Sequence, residues 1–91
     1  MRAKELQDLQ RALLAAVPTH HRDAFTERCK SALDLYANGE EGSALETVCE
    51  NIYDFDVLIS PAVHAQLVRL CQRFGVSGEL VGLLSEMLRN N

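Results

Sequence analysis

Two carboxylates lie one residue apart near the middle of the chain, at Asp54 and Asp56. A pair of carboxyl groups can act as general acid and base, as in glycosidases. That chemistry needs a cleft that holds the two groups across the scissile bond and raises the pKa of one of them. Nothing else in the sequence predicts such a cleft. We therefore interpret the two aspartates as exposed acids, and we predict no enzyme activity from them.

The histidines could contribute to a metal site together with a cysteine. They are His20, His21 and His64. Zinc sites usually draw their ligands from close pairs such as CxxC or HxxxH, and the chain has neither spacing. A phosphate-binding glycine-rich loop and a GxSxG motif are absent as well. The sequence thus predicts no metal and no cofactor.

Three cysteines follow one another at intervals of 20 and 22 residues, at Cys29, Cys49 and Cys71. Each falls on an apolar stripe, which is typical of buried structural thiols. An odd number of cysteines without a secretory context indicates free thiols in a reducing compartment. The N-terminal residues are polar and no apolar run approaches the ~20 residues of a membrane span. We therefore expect a cytoplasmic protein that does not cross a membrane.

Acidic residues are concentrated in the middle of the chain. The 91 residues carry a formal net charge of −4, yet no lysine or arginine lies between Lys30 and Arg69. Seven acids fall within this window, whereas nine bases and six acids lie outside it. A negative surface disfavours nucleic acid and favours a basic partner. The alternative is that these acids only keep the protein soluble.

The stretch Ser43–Ser60 contains the helix that would position the acids. Its apolar residues recur at helical spacing, at Leu45, Val48, Cys49 and Ile52. Ser43 followed by Glu46 predicts a capping box at the helix start. The opposite face repeats an acid every fourth residue, at Glu46, Glu50 and Asp54, with Tyr53 beside them. Because like charges at this spacing destabilise a helix by about 0.2–0.5 kcal/mol per pair, we interpret the row as a surface for a positive partner.

Other helices are predicted before and after this one. Residues 3–16 form the first, with its inward positions at Leu6, Leu9, Leu13 and Ala16. Thr19 is the predicted N-cap of the second, which runs to about Ala37 and stops at Gly39. Residues 55–59 are predicted to be an extended connector without a strand partner. Ser60 with Pro61 opens a further helix that stops at Gly75.

Ser77 caps the last predicted helix, in which Gly82 suggests a close approach of another helix. The chain is long enough for one domain with a thin aliphatic core. We therefore predict an all-α fold, a compact bundle of four to five short helices that forms a single domain over residues 1–91.

Residues 67–87 also fit a helix-turn-helix template, with Gly75 at the turn. A recognition helix needs bases to bind phosphates, and the last helix offers only Arg89 against Glu79 and Glu86. We therefore expect no nucleic-acid binding. A small helical adaptor or a helix-turn-helix regulator remains the alternative function.

The run ALETVCENIYDFDVLIS, followed by a helix and then LCQRFGV, resembles the MafI family of immunity proteins. Proteins of this family are small, helical and bacterial, and they are encoded beside polymorphic or contact-dependent toxins. The matching pattern is E-N-x-Y-[DE]-[FY]-D, followed by an apolar pair and Ser. The arrangement is also similar to colicin nuclease immunity proteins, although their Tyr-Tyr-Pro motif is absent because Asp54 follows Tyr53.

The resemblance implies an immunity protein whose partner is a cognate toxin domain, basic and expected to be a nuclease. Tyr53 would be the anchor, since tyrosine is enriched at interface hot spots. The alternative is a tyrosine that is half-buried at the helix end with its hydroxyl in water. The predicted centre of the partner-binding site is Glu50, Tyr53, Asp54 and Asp56. The predicted surround is Glu40, Glu41 and Glu46.

Overall fold

Helices make up almost all of the regular structure. The computed structural model describes residues 1–89. Within them the α-helices are α1 (Ala3–Leu14), α2 (Arg22–Ala37), α3 (Glu41–Asp54), α4 (Pro61–Arg73) and α5 (Gly78–Leu84). Short 3-10 turns precede α2 at Thr19–His21 and follow α5 at Ser85–Met87. The predicted all-α bundle is thus confirmed. No helix within residues 1–89 is long and apolar enough to cross a membrane.

Helix α3 lies at the centre of the bundle. It packs most extensively against α2, and it also contacts α4 and α5. Its predicted apolar face is fully buried, at Leu45, Val48, Cys49 and Ile52. Leu67 from α4, Leu84 from α5 and Phe25 from α2 are buried in the same core. The helical periodicity of the sequence therefore identified the inner face of α3 correctly.

Three helices end in the same hydrogen-bonded turn, in which one residue takes a positive φ. Gly39 after α2 has φ 81° and Gly75 after α4 has φ 71°, as expected for glycine stops. After α3 this position is occupied by Asp56, with φ 51°. The backbone N–H of Val57 donates to the carbonyl of Ile52 at 2.9 Å, which is the bond of a Schellman motif.

Two of the predicted N-caps are confirmed and two are wrong. The hydroxyl of Ser60 accepts from the N–H of Val63 at 3.2 Å, and Ser77 caps α5 in a similar way. Ser43 does not cap α3, because helical hydrogen bonding already starts at the carbonyl of Glu40 and places Ser43 in the first turn.

Thr19 does not cap α2 either. It begins the 3-10 turn that follows Pro18, and the residue before α2 is His21, whose side chain makes no capping bond. The first helix also ends earlier than predicted, at Leu14, and Ala16 is exposed instead of buried. Between Leu14 and Pro18 the chain continues in i→i+3 turns, in which the N–H of Ala16 donates to the carbonyl of Leu13 and the N–H of Val17 to the carbonyl of Leu14.

The predicted close approach at Gly82 is wrong, since a Cβ at that position would meet no atom of residues 1–89 within 4 Å. The close approach is at Gly42 in the first turn of α3, where a Cβ would lie 3.1 Å from the backbone oxygen of Phe74. Gly42 thus allows the start of α3 to lie against the end of α4.

One residue of the connector between α3 and α4 pairs with the segment after α5, although the connector forms no strand within residues 1–89. Ile59 forms an isolated parallel bridge with Leu88. The N–H of Ile59 donates to the carbonyl of Met87 at 2.9 Å, and the N–H of Arg89 donates to the carbonyl of Ile59 at 2.8 Å. This bridge ties the connector to the chain after α5.

Candidate partner-binding site

The C-terminal end of α3 exposes Glu50, Tyr53, Asp54 and Asp56, which we call the Tyr53 face. The first three are spaced three and four residues apart, so they lie on one side of the helix. The other side is buried through Cys49 and Ile52. The Tyr53 side chain is 46% exposed although it is large and mostly apolar. The packing of α3 against the core therefore holds this set of side chains toward solvent.

Asp56 gives the Tyr53 face a fixed carboxylate beyond the end of the helix. It is the non-glycine residue with positive φ within residues 1–89, and glycine fills the equivalent positions after α2 and α4. The left-handed conformation costs an L-residue about 1–2 kcal/mol, less for Asp than for most others. A glycine would avoid this cost, so the local conformation does not explain the choice of an acid.

Arg28 of α2 lies directly against the Tyr53 face. Its Nη1 atom is 3.4 Å from Oδ2 of Asp54 and 3.4 Å from Oδ1 of Asn51. The acidic window of the sequence contains no base, but in the folded structure Arg28 lies next to one of its acids, Asp54. Both members of the Arg28–Asp54 pair are about half exposed, so the pair contributes at most about 1 kcal/mol. Within residues 1–89, Glu50 and Asp56 make no ion pair.

Phe55 anchors the backbone between the two aspartates. Its ring meets Phe25 edge-on, with centroids 5.4 Å apart, and His21 at 6.2 Å. The guanidinium of Arg28 lies 5.7 Å from the ring centroid, within the range of a cation–π contact. The two aromatic contacts join the start of α2 to the end of α3, and they hold the backbone between Asp54 and Asp56 in place.

Asn51 is a buried polar residue that the sequence interpretation missed. Its side chain is 1% exposed. Its Oδ1 accepts from Arg28, and its Nδ2 has no hydrogen-bond partner among residues 1–89. Burying an amide without full hydrogen bonding costs about 1–3 kcal/mol. The position follows Val48 by three residues, which already places it near the apolar side of the helix. Asn51 thus lies beneath Arg28 and accepts one of its hydrogen bonds.

Leu58 is a second exposed apolar side chain near this end of the molecule, and it too was missed. It is 51% exposed, and Tyr53 and Leu58 are the large hydrophobic residues exposed within residues 1–89. In the connector, Val57 and Ile59 are buried and Leu58 points outward. The period-2 alternation of an extended segment is the signal that could have identified it.

The remaining predicted residues divide into two groups. Glu46 is exposed one turn before Glu50 and extends the Tyr53 face along α3. Glu40 and Glu41 lie at the opposite end of the helix. With a rise of about 1.5 Å per residue, Glu41 is about 20 Å from Asp54. A partner centred on Tyr53 would have to cover the whole helix to reach them.

Other surfaces of the described chain do not include these residues. Two grooves, of about 670 and 230 Å3, lie between α1 and α4 and between α1 and α2. Neither is lined by a residue of the Tyr53 face. No cluster of three or more potential metal ligands occurs within residues 1–89. An exposed helix end with acids and a tyrosine suits contact with another macromolecule.

Comparisons of the chain with protein-family models, with curated proteins and with solved structures find no match. The resemblance to MafI immunity proteins therefore stays a prediction, and the residues of the chain itself carry the functional argument.

Proposed function

We propose that this protein is an immunity protein that binds a cognate bacterial toxin and neutralises it through the Tyr53 face. The single observation that carries the proposal is the exposure of Tyr53 at 46% among three carboxylates on a well-anchored helix end. The resemblance of the run around this helix to MafI immunity proteins supports the same function. Neutralising a toxin in this way requires tight binding and no catalysis.

The expected toxin is a nuclease domain, because a nuclease presents a basic surface to its polyanionic substrate. Complementary charge raises association rates, which reach about 10⁸–10⁹ M⁻¹s⁻¹ at low salt. Tyr53 would bury a large, rigid side chain in the complex, and the carboxylates around it would pair with lysine or arginine of the toxin. Occupying that surface would exclude the nucleic-acid substrate.

Arg28 shapes this binding surface in a way that can be tested. The ion pair with Asp54 at 3.4 Å partly neutralises the face in the free protein. A basic toxin residue can compete for Asp54 because the pair is weak and half exposed. Removing Arg28 would leave Asp54 in place and make the face more negative.

The experiment is a growth-protection assay with the toxin encoded next to this protein. The double variant Tyr53→Ala/Asp54→Ala should lose protection while its far-UV circular dichroism stays helical. Arg28→Ala is the control for the ion pair, since it removes the pair and leaves the carboxylate. Its thermal midpoint is measured as well, because the variant also removes the hydrogen-bond donor to Asn51. We expect Arg28→Ala to protect as well as the unaltered protein.

Full protection by the double variant at equal expression would place the binding surface elsewhere, with residues 22–30 of α2 as the next candidate. Loss of protection in both variants would indicate that the Arg28–Asp54 pair acts through folding. Absence of protection by the unaltered protein would reject the immunity function.

A further inference from the structure

Cys49 and Cys71 bring their sulfur atoms together in the core. The Sγ atoms are 3.7 Å apart, one on α3 and the other on α4, and both thiols are free. Their side chains are 1% and 0% exposed. The proposed function uses neither thiol, and the sequence alone did not indicate that residues 22 positions apart would meet.

We propose that Cys49 and Cys71 are an oxidation site at which peroxide forms a disulfide that joins α3 to α4. A disulfide requires the sulfurs to close from 3.7 Å to about 2.0 Å. The two sulfurs already contact each other, so the closure needs a small shift of the two side chains. This inference does not depend on the proposed function.

The chemistry balances with hydrogen peroxide as the oxidant. The sulfur of one cysteine of the pair attacks one peroxide oxygen, the O–O bond breaks, and a sulfenic acid and one water form. The sulfur of the other cysteine then attacks the sulfur of the sulfenic acid, the S–O bond breaks, and the hydroxyl leaves with the thiol proton as a second water. Two thiols have thus lost two electrons in total to one peroxide.

The two thiols of the pair are equivalent in geometry. Either Sγ can be the donor in their contact, so either thiol can be the one that peroxide oxidises first. Burial raises the pKa of the third thiol, Cys29, to about 11, so it stays protonated at neutral pH.

The bond would close a loop that contains the whole Tyr53 face. Residues 50–58 lie between the two cysteines, and the connector with Leu58 is included. Closing a loop of this length restricts the unfolded chain and stabilises the folded one. We expect the thermal midpoint to rise by roughly 10 °C, because small domains respond strongly to such a change.

Trypsin digestion distinguishes the three possible disulfide pairings of the cysteines. Cleavage after Arg28, Lys30, Arg69 and Arg73 isolates each cysteine on its own peptide, as 29–30, 31–69 and 70–73. The native chain treated with hydrogen peroxide should give the linked species 31–69 with 70–73, and a reductant should separate it. The same treatment of the chain in denaturant should give all three pairings and serves as the control.

The variant Cys29→Ser keeps the proposed pair and should show the same rise in thermal midpoint after oxidation. A native chain that yields no 31–69 to 70–73 link, or the same mixture of pairings as the denatured chain, would overturn the proposal. A lower thermal midpoint in the oxidised, linked Cys29→Ser chain would also overturn the proposal, because the bond would then distort the packing of α3 on α4.

Discussion

Substitutions of Asp56 can separate the effect of its charge from the effect of its backbone conformation. Its φ of 51° suits glycine better than aspartate. We predict that Asp56→Gly raises the free energy of unfolding by about 0.5–1 kcal/mol, because glycine takes this conformation without the steric cost of a Cβ. Urea denaturation followed by circular dichroism measures the change.

Asp56→Asn is the matched control for the charge, because asparagine also tolerates the left-handed conformation. It should leave the free energy of unfolding within about 0.5 kcal/mol and weaken toxin binding. A loss of more than 1 kcal/mol in Asp56→Gly would mean that the carboxylate itself stabilises the turn.

Cys29 gives a prediction that depends on pH. Burial raises the pKa of its thiol from 9.0 to about 11. The folded state therefore holds the proton more tightly than the unfolded state. This contribution to stability is complete below about pH 9 and is lost as the pH rises through 11. Alkylation of native Cys29 by iodoacetamide, read on the tryptic dipeptide 29–30, should reach half its maximal rate near pH 11.

The same alkylation in denaturant should reach half its maximal rate near pH 9. Equal pH profiles for native and denatured chains would show that burial does not affect this thiol.

At the scale of helices, Gly42 and Gly82 form a matched pair. Gly82→Ala should raise the free energy of unfolding by about 0.5–1 kcal/mol, because alanine favours the helix and a Cβ there meets no atom of residues 1–89 within 4 Å. Gly42→Ala should be less stable than Gly82→Ala by about 1 kcal/mol or more. Its Cβ would lie 3.1 Å from the backbone oxygen of Phe74. Thermal or urea unfolding of both variants tests this, and equal stabilisation would contradict the close packing of α3 on α4.

The sequence predicted the elements that depend on local patterns. The inner face of α3 follows from apolar spacing, and the stops at Gly39 and Gly75 follow from the conformational freedom of glycine. Ser60 was identified as a cap because Pro61 follows it. The cap at Ser43 was wrong because α3 follows the Schellman turn at Gly39 directly, so its N-cap is Glu40, three residues earlier.

Contacts between distant residues could not be predicted from the sequence. Arg28 and Asp54 are 26 residues apart, and only the packing of α2 on α3 brings them together. The bridge between Ile59 and Leu88 and the contact of Cys49 with Cys71 have the same origin. The candidate site was thus predicted in its acids and its tyrosine, whereas its arginine neighbour and its buried amide required the structure.

At the scale of the molecule, the acids are divided between two ends of α3. The Tyr53 face lies at one end, and Glu40 and Glu41 lie at the other. A toxin bound at Tyr53 would bury the Tyr53 face. It would interact with Glu40 and Glu41 mainly through long-range electrostatic attraction. Such attraction affects association rates and is screened by salt over about 10 Å at 0.1 M ionic strength.

The affinity of the purified toxin domain for Tyr53→Ala measures how much Tyr53 contributes to binding. Truncation of a hot-spot residue costs at least about 2 kcal/mol, so calorimetry should show a Kd raised about thirtyfold or more. Glu79→Ala, an exposed acid on α5 outside the Tyr53 face, is the control and should bind within about twofold of the unaltered protein. A Kd for Tyr53→Ala equal to that of the unaltered protein would contradict the account.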